Sequence, residues 1–262
     1  MKATVILMFM ILAINIHGQN STNQESNSKK EAERLWDLAI KAKGGREKLH
    51  AVRNMVVSSK TDYYFGFKKI TNLTERFYVF PNKWWSWDDN RPSNFGLMMT
   101  MYNLEIGKKY FVQDGQKESV LDSIESDYKS TNFSNLVTDL METKWNQPHP
   151  EKVIVGKLGT EKVDIIQTSL IGQRIDFTLS QKTHLPIRIV AYLNQKPSYN
   201  ARLFDYVDVN GIKMPSRLVL ESDDGNSEYS FTYQFNVEYN EDIFKTAPLP
   251  VETAAGAWKV KK

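Results

Sequence analysis

The stretch Tyr229-Ser230-Phe231-Thr232-Tyr233-Gln234-Phe235-Asn236-Val237-Glu238-Tyr239 puts an aromatic or aliphatic side chain at every odd position and a polar one at every even position. Successive strand residues point to opposite faces, so this is a long strand with one face buried and one wet. Just upstream, Asp224-Gly225 is the dipeptide preferred in tight hairpins. Ile175, Phe177 and Leu179 alternate with Asp176, Thr178 and Ser180, and Leu185, Ile187, Ile189 and Ala191 repeat the pattern, as half-buried antiparallel strands do. Period two also runs through residues 52–65, 67–80, 95–104 and 107–113, with turn residues between them at Pro81-Asn82 and Asp114-Gly115. A nearly unbroken run of long antiparallel strands must twist and curl, so the expected fold class is mostly β, a strongly curved antiparallel sheet with a concave face to fill.

Two segments depart from period two. Ala32, Leu35, Trp36, Ala39 and Ile40 recur at helical spacing and stop at Gly44-Gly45, which predicts an amphipathic helix over 29–43, followed by a short helical turn at Glu47 to His50. Phe133, Leu136, Val137, Leu140 and Met141 predict a second helix over 132–144. The apolar stripes of both suit the concave face, either as filling or as a lid over a cavity.

At the amino terminus, Lys2 precedes an apolar run from Ala3 through Ile14 and then small or polar residues to Gly18-Gln19, which reads as a secretory signal peptide, residues 1–18, cut near Gly18. A dozen apolar residues fall short of the ~20 a membrane span needs. Residues 19–28 are polar and read as a disordered spacer, leaving 29–262 as one folded domain. The 262 residues, 41% hydrophobic and without cysteine, are enough for a full core without disulfide staples. A net charge of +3 spread along the chain leaves no footprint for nucleic acid.

The constellations of common enzymes are missing. The sequence holds no Gly-x-Ser-x-Gly elbow, phosphate-binding glycine loop or His-Glu-x-x-His helix. His50, His149 and His184 lack metal-ligand spacing, so no metal and no cofactor are expected. Asp208-x-Asn210-Gly211 opens like a calcium loop, but Arg217 stands where the closing Glu belongs, and a hairpin turn is the better reading. Asp88 and Asp89 could meet Asp205 or Glu221 as paired carboxylates only if the fold joins them. The most unusual local feature is Trp84-Trp85-Ser86-Trp87 followed by Phe95, Leu97, Met98, Met99 and Met101. It suits either an adaptable wall for an acyl chain or core packing on both faces of a curved sheet.

In order and in short signatures the chain resembles the LolA-like periplasmic proteins, the outer-membrane lipoprotein-sorting carriers and their relatives. The matching pieces are Ala42-Lys43-Gly44-Gly45 with Leu49-x-x-Val52, Phe80-Pro81-Asn82-Lys83-Trp84, the Asp114-Gly115 hairpin, Tyr206-Val207-Asp208-Val209-Asn210-Gly211-Ile212-Lys213-Met214-Pro215, and Phe244-Lys245-Thr246-Ala247-Pro248. They span Lys29 to Pro250. The resemblance implies a half-open barrel with helices covering its concave face, and a non-enzymatic periplasmic or secreted carrier of lipid or lipoprotein acyl chains, served by a transient membrane donor or acceptor. A monomer is expected. Two departures stand out: the chain is longer than a typical carrier, and the basic residue that helps hold the carriers' lid closed has no clear counterpart. From strand phase, Trp85, Trp87, Leu97, Met99, Phe231 and Phe235 are candidate wall residues; from helix phase, Leu136, Val137, Leu140 and Met141 are candidate lid residues. The rival readings are an envelope sensor or scaffold that binds protein segments with the same fold and, ranked last, a secreted hydrolase.

Overall fold

The computed structural model describes residues 27–65, 68–114, 116–120, 140–170, 172–222, 225–248 and 256–259. Helix α1 covers 27–43 and α2 covers Arg46–His50. Residues 27 and 28, assigned to the spacer by sequence, are therefore helical; the rest of that spacer and the signal segment lie outside the described residues. Thirteen strands follow: β1 (Asn54–Phe65), β2 (Lys68–Val79), β3 (Lys83–Asn90), β4 (Gly96–Asn103), β5 (Lys108–Gln113), β6 (Gln116–Val120), β7 (His149–Leu158), β8 (Glu161–Leu170), β9 (Gln173–Ser180), β10 (Pro186–Leu193), β11 (Lys196–Val209), β12 (Ile212–Ser222) and β13 (Gly225–Phe235).

They form one antiparallel sheet in the order β6-β5-β4-β3-β2-β1-β13-β12-β11-β10-β9-β8-β7. Each strand pairs with its neighbour in sequence except at the centre, where β1 pairs with β13 and closes the two halves of the meander together. The outer strands β6 and β7 do not pair with each other, so the curved sheet stays an open half-barrel. Tight turns set the registers. Asn210 and Gly211 both have positive φ, 53° and 79°, and join β11 to β12 as a two-residue hairpin in which the Gly211 amide donates to the Asp208 carboxylate at 2.7 Å. The calcium-like motif is thus a turn.

α1 lies on the concave side. Ala32, Leu35, Trp36, Ala39 and Ile40 are buried against Ile166, Phe177, Ile189 and Ala201 of the sheet, and Trp36 meets Phe177 edge to face at 5.0 Å. The helix ends where the sequence places its glycines. Gly44 has φ +134°, and a Cβ there would stand 2.3 Å from the Gly211 carbonyl oxygen. The helix terminus and the β11–β12 hairpin, two of the short signatures, therefore touch backbone to backbone. Gly44→Ala is expected to lower the unfolding free energy by about 2–4 kcal/mol through strain and overpacking, read as a shift of the urea midpoint.

The segment after 139 departs from the helix predicted for 132–144. Leu140 is helical, but Met141 has φ 69° and the chain continues irregularly through Asn146. A left-handed residue breaks the hydrogen-bond ladder that a longer helix needs. Leu136 and Val137 lie outside the described residues.

A second core covers the convex face of β1–β5. Val56, Phe77, Trp85, Trp87, Met99, Met101 and Val112 pack with Phe244 and Trp258 of the C-terminal segment. The Glu75 carboxylate is buried beneath that segment and accepts from the Trp258 indole N–H at 2.8 Å and the Gly256 amide at 2.5 Å. β13 feeds this core through a kink. The alternation read over 229–239 holds to Phe235, but Asn236 has φ 53° and the strand ends there. Val237 and Tyr239 consequently pack on the convex cluster rather than on the concave face shared by Tyr229, Phe231, Tyr233 and Phe235.

Candidate functional site

Register decides which side chains face inward. Met55, Val57, Ser59, Thr61 and Tyr63 of β1 share a face with Tyr233, Phe231 and Tyr229 of β13 and with Tyr78, Arg76, Thr74 and Asn72 of β2. Across β3 and β4 the same face carries Trp84, Ser86, Asp88 and Asn90, then Tyr102, Thr100 and Met98. This is the concave face, since Met55, Tyr78, Trp84, Tyr102 and Tyr233 belong to the core that holds α1. Trp85, Trp87, Leu97 and Met99 are one residue out of phase and lie on the convex face, in the second core. Their sequence assignment to the cavity wall is corrected accordingly: the more apolar face of β3 and β4 is turned away from the cavity and packs on the C-terminal segment, and alternation alone does not say which face is concave.

α1 fills one part of the concave face and leaves another open. Between β1–β4 and β11–β13 lies a cavity of about 500 Å³, lined by Val57, Ser59, Thr61, Tyr63, Thr74, Arg76, Tyr78, Asp88, Asn90, Met98, Tyr199, Leu218, Leu220, Tyr229 and Phe231. Its size is within the ~300–1,000 Å³ typical of small-ligand sites. A second hollow of about 270 Å³, mainly apolar, continues it towards the rim past Tyr63, Asn90, Met98 and the exposed Phe95. Of the sequence-predicted wall residues Phe231 lines the cavity, stacked near parallel with Tyr229 at 5.9 Å. Phe235 is on the same face but buried in the main core.

Polar groups gather at one wall. Arg76 reaches Asp88 Oδ1 with Nη2 at 3.9 Å, while Asp88 Oδ2 accepts from the buried Ser86 hydroxyl at 2.9 Å. Burial opposes the Arg76 charge, but Tyr78 and Asp88 beside it more than offset that, and the guanidinium is held above its usual range. Burial and the neighbouring Tyr63 hydroxyl push the Tyr229 phenol up, so it stays neutral. At the rim Asn72 donates to Asn90 at 2.8 Å and to Ser93 at 2.9 Å. Sequence reasoning missed Arg76, Tyr63 and Tyr229 as lining. The signal available was their parity with Tyr78 and Phe231, usable only once the β1–β2 and β1–β13 registers are known.

Leu140 and Met141 are fully buried in the main core rather than at the cavity wall. Beside them Glu142, 2% exposed, is held by three groups: the Trp36 indole N–H at 3.0 Å, Arg46 Nε at 2.7 Å and His50 Nε2 at 3.0 Å. This clamp ties the chain entering β7 to both helices.

The carboxylates considered for catalysis are dispersed among separate basic partners: Asp88 with Arg76, Asp89 with Arg91, Asp205 with Arg217, and Glu221 with Arg202. Among the described residues no helix is long and apolar enough to cross a membrane.

The described residues thus build an open β half-barrel with a helix in its concavity and a ligand-sized cavity beside it. No family model matches the sequence, and no curated protein matches it. Among solved structures, the chain is similar to a DUF1329 family protein from Desulfovibrio piger (11% identity, TM-score 0.52, covering 81% of this chain and 96% of that one). It is similar at TM-score 0.52 and 11% identity to a LolA superfamily protein from Nitrosomonas europaea, covering 79% and 97% of the two chains. A third is an outer membrane lipoprotein-sorting protein domain from Vibrio parahaemolyticus, at TM-score 0.50 and 11% identity over 81% and 97%. The fold is LolA-like.

Proposed function

We propose that the protein is a non-enzymatic periplasmic carrier that holds an acyl chain of a lipid or lipoprotein in the concave cavity. The carrying observation is the cavity of about 500 Å³ that α1 leaves unfilled, walled on one side by Val57, Leu218, Leu220 and Phe231. Each methylene moved from water into such a wall gains roughly 0.8 kcal/mol, which is what a carrier must supply for a chain to cross water. Two structural neighbours, a LolA superfamily protein and an outer membrane lipoprotein-sorting protein domain, agree with this reading. A monomer that meets a membrane donor and acceptor in turn fits it too, as does export through the amino-terminal apolar segment.

The test is native mass spectrometry with lipid extraction on protein purified from its own periplasm without detergent. A stoichiometric lipid or acylated peptide is expected; a clean apo mass that persists after incubation with membranes overturns the carrier reading. Phe231→Asp, which places a charge on the cavity wall, is expected to weaken retention of the extracted lipid at least tenfold.

A second reading, a scaffold that binds protein segments, is favoured by one observation. Among the described residues, β7 is an edge strand that pairs with β8 on one side, and it carries the exposed Ile154 and Val155, 40% and 70% exposed. A co-purified peptide without lipid would support it.

A further inference from the structure

The cavity is more polar than an acyl chain alone requires. Ser59, Thr61, Thr74 and Asn90 line it together with Arg76 and Asp88. Arg76 is the cationic side chain among its lining, and its Nε is buried without a hydrogen-bond partner. The side chain keeps 39% of its surface exposed, and it does so inside the hollow, between Val57 and Ser86 of the flanking strands. Its contact with Asp88 is loose, 3.9 Å at one nitrogen, where a charge-assisted hydrogen bond is about 2.7–2.9 Å. The Asp88 oxygen on the other side is taken by Ser86. A guanidinium offers five N–H donors in a planar fork that matches a carboxylate or phosphate. Tyr78 and Asp88 together engage only part of that fork, and the rest of the guanidinium faces the hollow.

We infer that the cavity binds a single-chain amphiphile with one anionic head group, carboxylate or phosphate monoester, seated on the exposed edge of the Arg76 guanidinium with its tail along the apolar wall. The inference rests on the carrier reading and narrows its cargo. The tail has two apolar surfaces within reach, Val57, Leu218 and Phe231 on one side and the hollow past Met98 to Phe95 on the other. The neutral phenol of Tyr229 lies in the same lining and adds no repelling charge. The volume suits one chain and head, not a bundle of chains.

The experiment is displacement of the uncharged fluorophore N-phenyl-1-naphthylamine from the full mature chain by dodecanoate, methyl dodecanoate, dodecyl phosphate and inorganic phosphate. Dodecanoate and dodecyl phosphate are expected to displace it at concentrations at least tenfold lower than the methyl ester. In Arg76→Met both anions are expected to displace the fluorophore no better than the ester does in the same variant. Asp88→Asn, which removes the competing carboxylate, tightens the anions about threefold or more; this gain cannot come from misfolding and decides the matter if Arg76→Met does not fold. Equal displacement by acid and ester in the unaltered protein overturns the role of Arg76 while the acyl-carrier reading survives. Displacement by none of the amphiphiles overturns the carrier reading and this inference with it. Inorganic phosphate acting as strongly as dodecyl phosphate would show that a free anion is the ligand and overturn the amphiphile.

Discussion

Trp85→Ala is expected to lower the unfolding free energy by about 3–5 kcal/mol while leaving the affinity for a cavity ligand unchanged. Trp85 is 1% exposed and sits in the convex core with Phe77, Met99, Met101 and Trp258. Its removal opens a large void that the surrounding strands cannot collapse around, because each is held in a ladder on both sides. At the size of this chain the loss corresponds to a fall in Tm of roughly 6–20 °C. Phe231→Ala is expected to do the reverse, costing little stability because the ring is half-buried at the cavity wall, but weakening the ligand. Thermal unfolding and fluorophore binding measured on both variants make the check. If Trp85→Ala abolished binding at full stability, the convex core would have to be reconsidered as a ligand site.

Glu142→Ala carries the second large effect, an expected loss of about 2–4 kcal/mol. The carboxylate is buried, and its removal strands the Trp36 indole N–H, itself 3% exposed, without an acceptor. Arg46 and His50 are partly exposed, at 49% and 23%, so water takes over most of what they lose, and the indole dominates the cost. Glu142→Gln keeps an acceptor for Trp36 and should recover more than half of the loss. Hydrogen exchange gives the finer readout. Amides of residues 140–146 and the start of β7 should lose protection first in the alanine variant, with the β1–β2–β13 centre still slow. Equal loss throughout would mean that the clamp is part of the global core and not a local tie.

The two variants bracket what could be read in advance. Strands β1, β2, β4 and β5 fall within a few residues of the period-two segments, α1 ends at Gly44-Gly45, and the Asn210-Gly211 turn is where the hairpin chemistry puts it. Phe231 faces the concave side because Ser230, Thr232 and Gln234 mark the other face as wet. For Trp85, Trp87, Leu97 and Met99 the same mark misleads, since the face that carries Ser86, Asp88 and Thr100 is the concave one. Only the C-terminal segment, with Trp258 bonded to Glu75, explains why the convex face of β3 and β4 is apolar, and nothing near Trp85 announces it.

By itself, then, the sequence determined the local quantities: strand and helix periods, turn positions, the apolar amino-terminal segment and the LolA-like order of signatures. These depend on neighbours a few residues away, through backbone sterics and alternation. The tertiary structure decided the rest: which face of β3 and β4 is concave, that Arg76 and Asp88 meet in an open cavity, and that Glu142 joins Trp36, Arg46 and His50 across 92 to 106 residues. Strand pairing brings such partners together, and pairing register is a property of the whole sheet. One residue of slip reverses every face, so no single stretch contains the information.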